Sequence, residues 1–103
     1  MKSKSEKLFV YGILRFRRFR KEAFGRVIAG TRDTYKGYTR ASVYINREQY
    51  FILKPSNSYV NGVVLEVTAK DLKKCDTYEH HYVRRKIRLK SGTSAWVYMY
   101  RFR

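Results

Sequence analysis

The sequence predicts a single α+β domain in which a small mixed β-barrel or curled sheet carries one or two short helices. Most segments between Gly, Pro and Asn residues are short and rich in β-branched and aromatic side chains, which is typical of strands. One segment after Thr68 combines a helix-start signal with an apolar stripe. The ten Tyr, six Phe and one Trp supply an aromatic face that a curling sheet would bury.

The length of the chain limits it to one compact domain. With 103 residues and 44% hydrophobic content, one core is possible and two ordinary domains are not. We expect residues 1–6 to form a flexible basic tail and residues 7–103 to form the domain. No apolar run approaches the roughly 18 residues that span a bilayer, the first residues lack the apolar stretch of a signal peptide, and the single Cys75 cannot form an internal disulfide. We therefore expect a soluble cytoplasmic protein without a membrane partner.

The first half of the chain is predicted to form a strand, a short helix and a meander. Lys7–Tyr11 is a compact apolar run that stops at Gly12, as a buried strand before a tight turn does. Phe16–Phe24 has apolar residues at helical spacing and predicts a short basic helix. Four β-prone stretches follow, separated by glycines and by the pair Asn46–Arg47, and predict a meander: Arg26–Ala29, Thr34–Tyr38, Ser42–Ile45 and Gln49–Leu53.

The second half is predicted to contain a strand, one helix and a hairpin. Pro55 opens a polar turn that should run through Ser58, and Tyr59–Val67 is strand-like after it. Beyond the helix, Tyr82–Lys90 and Ala95–Phe102 are joined by a Ser-Gly-Thr-Ser linker. This arrangement is typical of two strands in a hairpin.

The predicted helix begins with a capping signal. Thr68 is the N-cap, and Asp71 occupies the capping-box position three residues later. The helix should run to about His80 or His81. At about 100° per residue, four side chains fall within one stripe that should face the core: Leu72, Cys75, Asp76 and Glu79.

Glu79 is the candidate catalytic residue because it is a carboxylate on the same side of the helix as Leu72. Desolvation raises the pKa of a glutamate above its free value of about 4.3. The raised pKa would let Glu79 act as a general acid and base near neutral pH. The alternative is that the helix ends near Tyr78 and that Glu79 frays into solvent or pairs with an arginine. Periodicity alone leaves both interpretations open.

The net charge is the second unusual property. The chain has 24 Lys and Arg residues against eight Asp and Glu residues, a formal charge of +16. This charge would attract nucleic acid, acidic protein surfaces or anionic small molecules, although a well-solvated surface explains it equally well. Basic residues interleave with aromatic and aliphatic ones in Arg15–Lys21 and Tyr82–Lys90, as they do in nucleic-acid-binding surfaces.

Five motifs follow one another in an order that resembles one known family. Leu8–Arg15 resembles an opening Tyr-Gly-(Thr/Ser)-Leu-(Arg/Met) signature. Val60–Val67 then resembles a Val-x-Gly strand, Asp76–Glu79 an Asp-x-x-Glu helix end, Tyr82–Arg84 a Tyr-x-Arg strand, and Ala95–Tyr98 a closing strand. Together they resemble the gamma-glutamylcyclotransferase-like family, also called the AIG2-like family. The resemblance covers roughly residues 7 to 100 and implies a small mixed barrel or sheet with one or two helices.

The resemblance also implies an activity. The best-known members of the family cyclise a γ-glutamyl group: the free α-amine attacks the γ-carbonyl, which releases an amine and 5-oxoproline. Glu79 matches the catalytic glutamate of the family, and it would move the protons in this reaction. The implied substrate is a small γ-glutamyl amine, amino acid or isopeptide, and no cofactor is implied.

Five further residues are candidates for substrate binding. Tyr11, Gly12, Ile13 and Leu14 occupy the loop after the first strand, where a glycine lets the backbone approach a ligand and leaves amides free for a carboxylate or an oxyanion. An ordinary strand-ending turn explains Gly12 equally well. Tyr82 is a candidate to line the pocket, or it is simply a core residue.

Two positions depart from the family pattern. Ile13 stands where the family usually has a small hydroxyl residue, so only the backbone can donate hydrogen bonds there. His80 replaces the glycine that commonly follows the catalytic glutamate. His80, His81 and Cys75 do not have the spacing of a standard metal-ligand set, and no metal site is expected.

Two classes of function follow from these features. The first is a cyclotransferase-type enzyme that uses Glu79 and the loop Tyr11–Leu14. The second is a non-catalytic binding module of the same fold, in which the basic surface binds nucleic acid or an acidic protein partner.

Overall fold

The computed structural model describes residues 5–101, which form a five-stranded mixed sheet with two α-helices. The strand order is β2-β3-β1-β5-β4, in which β1 and β5 run parallel and the other neighbours run antiparallel. The predicted α+β class is thereby confirmed. A short 3-10 turn covers Ile13–Arg15. The elements are β1 (Ser5–Val10), α1 (Arg17–Phe24), β2 (Gly30–Ile45), β3 (Glu48–Thr68), α2 (Ala69–Tyr78), β4 (Tyr82–Arg88) and β5 (Ser94–Tyr100).

The first strand begins earlier than predicted. Residues 1–4 of the predicted tail lie outside the described residues, as does Phe102 at the end of the predicted last strand. Ser5 and Glu6 belong to β1 and pair with β3. The Glu6 carboxylate accepts a hydrogen bond from the indole nitrogen of Trp96 at 3.2 Å and lies 3.8 Å from Lys86 Nζ. These contacts extend the ordered strand beyond its apolar run.

The sheet curls until its two edge strands approach each other. At the start of β4, the Tyr82 hydroxyl donates to the carbonyl of Phe51 in β3 at 2.7 Å. Just after β4, the Lys90 amide donates to the carbonyl of Thr34 in β2 at 2.8 Å. Both contacts join β4, one edge of the sheet, to the opposite β2–β3 side. The sheet is therefore a half-barrel rather than a flat layer.

Side chains on the two faces of this curled sheet form two cores. In β1 the side chains alternate, so that Phe9 enters the inner cluster while Leu8 and Val10 enter the outer one. The inner cluster is enclosed by the sheet and contains Phe9, Tyr11, Leu53, Val60, Val64, Leu89, Ala95 and Val97. The outer cluster lies against the helices and contains Leu8, Val10, Phe24, Ile28, Leu65, Val67 and Leu72.

The predicted meander of four short strands is instead one long antiparallel ribbon, β2–β3. The predicted strand Arg26–Ala29 is a loop, and the other three stretches belong to β2 and β3. The predicted turn at Asn46–Arg47 is confirmed, since both residues have positive φ values, 51° and 70°. A two-residue turn of this kind matches the twist of paired strands.

The predicted turn at Pro55–Ser58 is wrong, because β3 continues through it. Pro55 pairs with Tyr38, and the ladder register shifts between Lys36 and Tyr38. A proline has no N–H to donate, and a bulge is a place where a strand tolerates that loss. Gly37, with φ of 91°, lies between the two sides of the bulge on β2.

The start of α2 is fixed by the predicted capping box. The Asp71 amide donates to Thr68 Oγ1 at 3.0 Å, and the Thr68 amide donates to Asp71 Oδ2 at 2.8 Å. Arg26 donates two further hydrogen bonds to the Asp71 carboxylate, at 3.0 and 2.6 Å. These Arg26 bonds, with those from Thr68, lower the pKa of Asp71 to about 2. Among residues 5–101, no helix has the length and apolar character needed to cross a membrane.

The capping box can be tested by substitution of Thr68. Because Thr68→Ala removes the side-chain acceptor of the box, we expect it to lower the free energy of unfolding by about 1 kcal/mol. The matched control is Thr77→Ala on the same helix, where the hydroxyl is exposed and only bonds back to the carbonyl of Lys73. Urea denaturation measures both variants. Equal destabilisation of the two would contradict the role assigned to the cap.

Candidate active site

A cavity of about 290 Å³ lies between the loop that follows β1 and the end of α2. Its volume suits a small-molecule ligand. The six residues that the sequence analysis singled out all line it: Tyr11, Gly12, Ile13, Leu14, Glu79 and Tyr82. The remaining lining residues are Phe9, Val10, Gln49, Tyr50, Phe51, Tyr78 and Tyr98.

Glu79 is the residue that caps the C-terminal end of α2. The predicted continuation of α2 to His80 or His81 is wrong, because the Glu79 backbone leaves the helical region with φ −95° and ψ 46°. Its amide closes the last helical turn on Cys75 at 2.8 Å, and its carbonyl accepts from the Tyr82 amide at 2.9 Å. The helix thus ends at Tyr78, yet the Glu79 side chain remains half-buried and lines the cavity.

The environment of Glu79 disfavours its charged form. Burial raises the pKa of Glu79 above the ordinary glutamate value, and the neighbouring His80 opposes this shift. Within residues 5–101, no lysine or arginine forms an ion pair with its carboxylate. Burial, with a contribution from the Glu79 charge, also raises the pKa values of Tyr11 and Tyr82. Both tyrosines therefore keep their protons at neutral pH.

The hydroxyl groups of the two tyrosines donate to the backbone. Tyr11 donates to the carbonyl of Tyr98 at 2.5 Å, and Tyr82 donates to the carbonyl of Phe51 at 2.7 Å. A phenol has a single proton to donate, so each oxygen has only its lone pairs left for a ligand. In the cavity, the hydroxyl groups of Tyr11 and Tyr82 can therefore accept hydrogen bonds from a ligand but not donate them.

The loop after β1 is held by two arginines through its carbonyl groups. Arg40 Nε donates to the carbonyl of Tyr11 at 2.8 Å, and Arg15 Nε donates to the carbonyl of Gly12 at 2.9 Å. In a trans peptide the N–H points opposite to the C=O of the same plane. The amides of Gly12 and Ile13 therefore point away from the two arginines.

The amides of residues 12–14, which we call the amide cradle, can donate to a ligand. Ile13 and Leu14 begin the 3-10 turn, and the first N–H groups of a helical turn have no acceptor within it. Gly12, Ile13 and Leu14 also line the cavity. The Ile13 side chain is 53% exposed and carries no polar group. Any hydrogen bond from this residue to a ligand must therefore come from its backbone.

Three polar residues that follow Glu79 in the sequence do not line the cavity: His80, His81 and Arg84. Arg84 Nη2 is 3.1 Å from Asp76 Oδ2, and its guanidinium lies over the ring of Trp96. The rings of His80 and His81 contact each other and do not line the cavity.

The sole cysteine also has a structural explanation. Cys75 packs against the outer core, and burial raises its pKa to about 11, so a reactive thiolate is disfavoured. Among residues 5–101, no group of three His, Cys, Asp or Glu side chains is arranged to hold a metal ion.

Arg40 and Tyr98 contribute to the site but were not identified from the sequence. Arg40 holds two carbonyls, since Nη2 also donates to Asn61 at 2.8 Å. Nothing distinguishes it in a chain with 24 Lys and Arg residues. Tyr98 belongs to the alternating aromatic pattern of β5. That pattern predicts a strand but does not show which rings reach a cavity.

The burial of Glu79 has a consequence for stability that depends on pH. Because its folded-state pKa is raised, its stabilising contribution is complete below the unfolded-state pKa and is lost as pH rises through the folded-state pKa. We therefore expect Glu79→Gln to raise the melting temperature relative to wild type at about pH 7, and this gain to shrink towards about pH 4. Thermal denaturation across this range measures it.

The exposed Glu22 on α1 provides the matched control for this measurement. Glu22→Gln removes the same charge from a solvated position, so its effect should vary little over the same pH range. If the change in melting temperature caused by Glu79→Gln varied just as little with pH, the Glu79 carboxylate would not be desolvated.

Comparison with known proteins gives the following matches. The family model described as gamma-glutamyl cyclotransferase, AIG2-like, matches residues 8–103. A protein of Arabidopsis thaliana with a solution structure has a TM-score of 0.77 at 19% identity, and the match covers 97% of this chain and 66% of that one. This chain thus spans just under two thirds of that protein.

Two further solved structures have the same fold. An uncharacterized protein from Homo sapiens has a TM-score of 0.78 at 14% identity, and the match covers 95% of this chain and 68% of that one. A protein described as gamma-glutamyl cyclotransferase has a TM-score of 0.76 at 15% identity, with coverages of 95% and 68%. No curated protein sequence matches this chain significantly. At these identities the likeness to solved structures shows the fold alone.

Proposed function

The chain belongs to the gamma-glutamyl cyclotransferase, AIG2-like family, and from that premise we propose that it releases 5-oxoproline and an amine from a small γ-glutamyl compound. Membership of the family supports a cyclotransferase-type function. The role of Glu79 and the choice of substrate are our proposal. One observation carries it: the half-buried Glu79 carboxylate and the amide cradle line the same cavity of about 290 Å³.

The cavity has donors and acceptors that complement a γ-glutamyl group. Such a group carries an ammonium, a carboxylate and a γ-carbonyl. The amide cradle donates, so it suits the carboxylate or the γ-carbonyl oxygen. Glu79 and the hydroxyl oxygens of Tyr11 and Tyr82 accept, so they suit the ammonium. Glu79 lies at the end of α2 and the amide cradle follows β1, and because both line the same cavity, one γ-glutamyl group can contact both.

In the proposed reaction, Glu79 takes a proton and later returns it. Its carboxylate accepts a proton from the α-ammonium, and the resulting amine attacks the γ-carbonyl carbon to form the C–N bond of a five-membered ring. The amide cradle stabilises the negative charge that develops on the carbonyl oxygen. The original amide C–N bond then breaks as Glu79 returns this proton to the leaving nitrogen. The ring nitrogen loses its second proton through Glu79 as the lactam N–H forms, and that proton leaves on the released amine as an ammonium. The α-ammonium thus loses two protons and the leaving nitrogen gains two, so atoms and charge balance without a co-reactant.

The raised pKa of Glu79 suits both halves of this cycle. A carboxylate with an ordinary pKa is a weak base and holds its proton too loosely to act as an acid at neutral pH. Burial raises the pKa of Glu79 and so strengthens it as a base. Because Tyr11 and Tyr82 keep their protons at neutral pH, Glu79 is better suited than either tyrosine to transfer the proton.

The proposal predicts a specific loss of activity in Glu79→Gln. Purified protein is incubated with a γ-glutamyl amine, a γ-glutamyl amino acid and a γ-glutamyl-lysine isopeptide, and 5-oxoproline is quantified. We expect at least one compound to be turned over, and kcat to fall by a factor on the order of 10²–10⁴ in Glu79→Gln, because the variant can no longer transfer the proton.

Glu66→Gln is the matched control, since Glu66 is an exposed glutamate of β3 outside the cavity, and it should retain wild-type activity. Circular dichroism checks that both variants are folded. Turnover that survives in a folded Glu79→Gln variant would remove Glu79 from the mechanism. Failure of the wild-type protein on every compound would count against the cyclotransferase activity itself.

A further inference from the structure

A second and larger cavity, separate from the Glu79 cavity, is lined mainly by polar and basic residues. Its volume is about 900 Å³, and none of its lining residues is shared with the Glu79 cavity. It is formed by the 3-10 turn, β2, β3 and the β4–β5 turn. The lining residues are Arg15, Phe16, Arg32, Asp33, Thr34, Asn61, Gly62, Val63, Lys90 and Ser91.

The one carboxylate of this cavity is already satisfied by protein donors. Asp33 Oδ1 accepts from the Thr34 amide at 2.8 Å, and Oδ2 accepts from the Ser91 hydroxyl at 2.5 Å. The Ser91 amide is 3.4 Å from Oδ1. Asp33 therefore fixes the β4–β5 turn against β2. It does not form an ion pair with any cation of the cavity wall.

The β2–β3 ribbon extends this basic cavity into a longer surface. Cross-strand pairing places Arg32 opposite Val63 and Lys36 opposite Tyr59. Alternate residues of a strand share a face, so Arg32 and Lys36 lie on one side of β2, about 13 Å apart along the strand. Tyr59, on the same side, is 59% exposed, and Phe16 in the cavity wall is 52% exposed.

We call this surface the basic platform and define it by four cations and two aromatic rings: Arg15, Arg32, Lys36, Lys90, Phe16 and Tyr59. Between its strands, the Thr34 hydroxyl donates to Asn61 Oδ1 at 2.8 Å. This bond orients the Asn61 side chain so that its NH₂ group is left to donate.

The charge of the basic platform is not compensated within the described part of the chain. Among residues 5–101, ion pairs within 4 Å engage Arg26, Arg84 and Lys86, none of which belongs to the platform. Arg84 and Lys86 also lie over the ring of Trp96. The Tyr82–Lys90 segment, which the sequence suggested as a binding surface, is therefore partly neutralised. The four cations of the platform form no such ion pair, and Arg15 lies over the platform's own Phe16 ring, 5.2 Å from its centroid.

A buried arginine adds to the positive charge of the platform. Arg20 is 6% exposed, and its guanidinium donates to the carbonyl of Arg15 at 2.8 Å and to the carbonyl of Ile28 at 2.6 Å. Its Nε has no hydrogen-bond partner within residues 5–101. No carboxylate pairs with it there. Arg20 therefore places a further positive charge beside the backbone of Arg15.

From these features we propose that the basic platform binds single-stranded nucleic acid. Its cations would contact successive phosphates, while Phe16 and Tyr59 stack on bases. A single strand offers base faces for stacking, whereas a duplex hides them. An acidic protein would satisfy the cations but would give the two exposed rings no comparable partner. The two cavities share no lining residues, and Arg15 is the one platform residue that also holds the Gly12 carbonyl of the amide cradle. The substitutions that test the platform therefore leave Arg15 unchanged.

Fluorescence anisotropy with labelled oligonucleotides tests the proposal. The probes are single-stranded RNA and single-stranded DNA of about 12 nucleotides, a duplex of the same length, and polyglutamate as an acidic competitor. We expect single strands to bind in the micromolar range and to bind more tightly than the duplex or polyglutamate. The logarithm of the association constant should fall with the logarithm of salt concentration with a slope of about −3, as four phosphate contacts imply.

Substitutions then distinguish the platform from general positive charge. Tyr59→Ala should weaken single-strand binding by roughly 5- to 100-fold through loss of stacking, whereas Tyr59→Phe, which keeps the ring, should retain binding. The matched control Tyr44→Ala removes another exposed tyrosine, 73% exposed, from β2 and should change little. The double variant of Arg32→Gln and Lys36→Gln should make the salt slope shallower by about 1.4.

The charge control is the double variant of Lys73→Gln and Lys74→Gln, which removes two exposed cations from α2. If it weakens binding as much as the Arg32 and Lys36 pair, the protein binds through its overall charge and the assigned surface is wrong. Polyglutamate that competes as well as RNA, with no effect of Tyr59→Ala, would identify an acidic protein surface as the partner instead. Absence of single-strand binding at low salt would overturn the proposal outright.

Discussion

The proposed chemistry depends on one feature of the structure, the half-buried Glu79 carboxylate at the end of α2. Two effects disfavour its charge: it is partly removed from water, and it stands at the C-terminal end of a helix, where the backbone carbonyls carry partial negative charge. No described lysine or arginine pairs with it. A desolvated carboxylate without a cationic partner destabilises the folded protein. Groups with such perturbed pKa values are common at functional sites.

Curling of the sheet brings Glu79 and the amide cradle to one cavity. The cradle follows β1 in the centre of the sheet, whereas Glu79 precedes β4 at the edge. Tyr82 links the two regions, because it begins β4, bonds to β3 and lines the cavity. At the far end of β4, Lys90 bonds to Thr34 of β2, and both residues line the cavity of the basic platform. The approach of β4 to the β2–β3 side therefore positions both the Glu79 cavity and the basic platform.

The elements that the sequence predicted well are those with local chemical signals. The Thr68–Asp71 capping box and the Asn46–Arg47 turn each depend on residues close in sequence, and both are present. The long β2–β3 ribbon was not predicted, because Gly37 and Pro55 are ordinary strand breakers when each is considered alone. Gly37 lies in the bulge on β2, and Pro55 is paired next to the bulge on β3. Only the pairing of the two strands brings these residues together.

The sequence identified the residues that line the candidate site but not the contacts that hold them in place. Glu79 and the Tyr11–Leu14 loop could be named from periodicity and from resemblance to the family. The sequence left the end of α2 open between Tyr78 and His80 or His81, since no glycine follows Glu79 and the helix is stopped by a turn to Tyr82. Arg40 was missed because its role is to hold backbone carbonyls, and such contacts leave no pattern in the sequence.

The most direct test of the central claim is the pKa of the Glu79 side chain itself. Carbon-13 NMR of the glutamate carboxyl groups, assigned to Glu79 by comparison with Glu79→Gln, follows its titration in the folded protein. We expect a pKa above the ordinary glutamate value of about 4.3. A value at or below it would mean that Glu79 is solvated or paired, and would contradict both the buried carboxylate and the chemistry proposed for it.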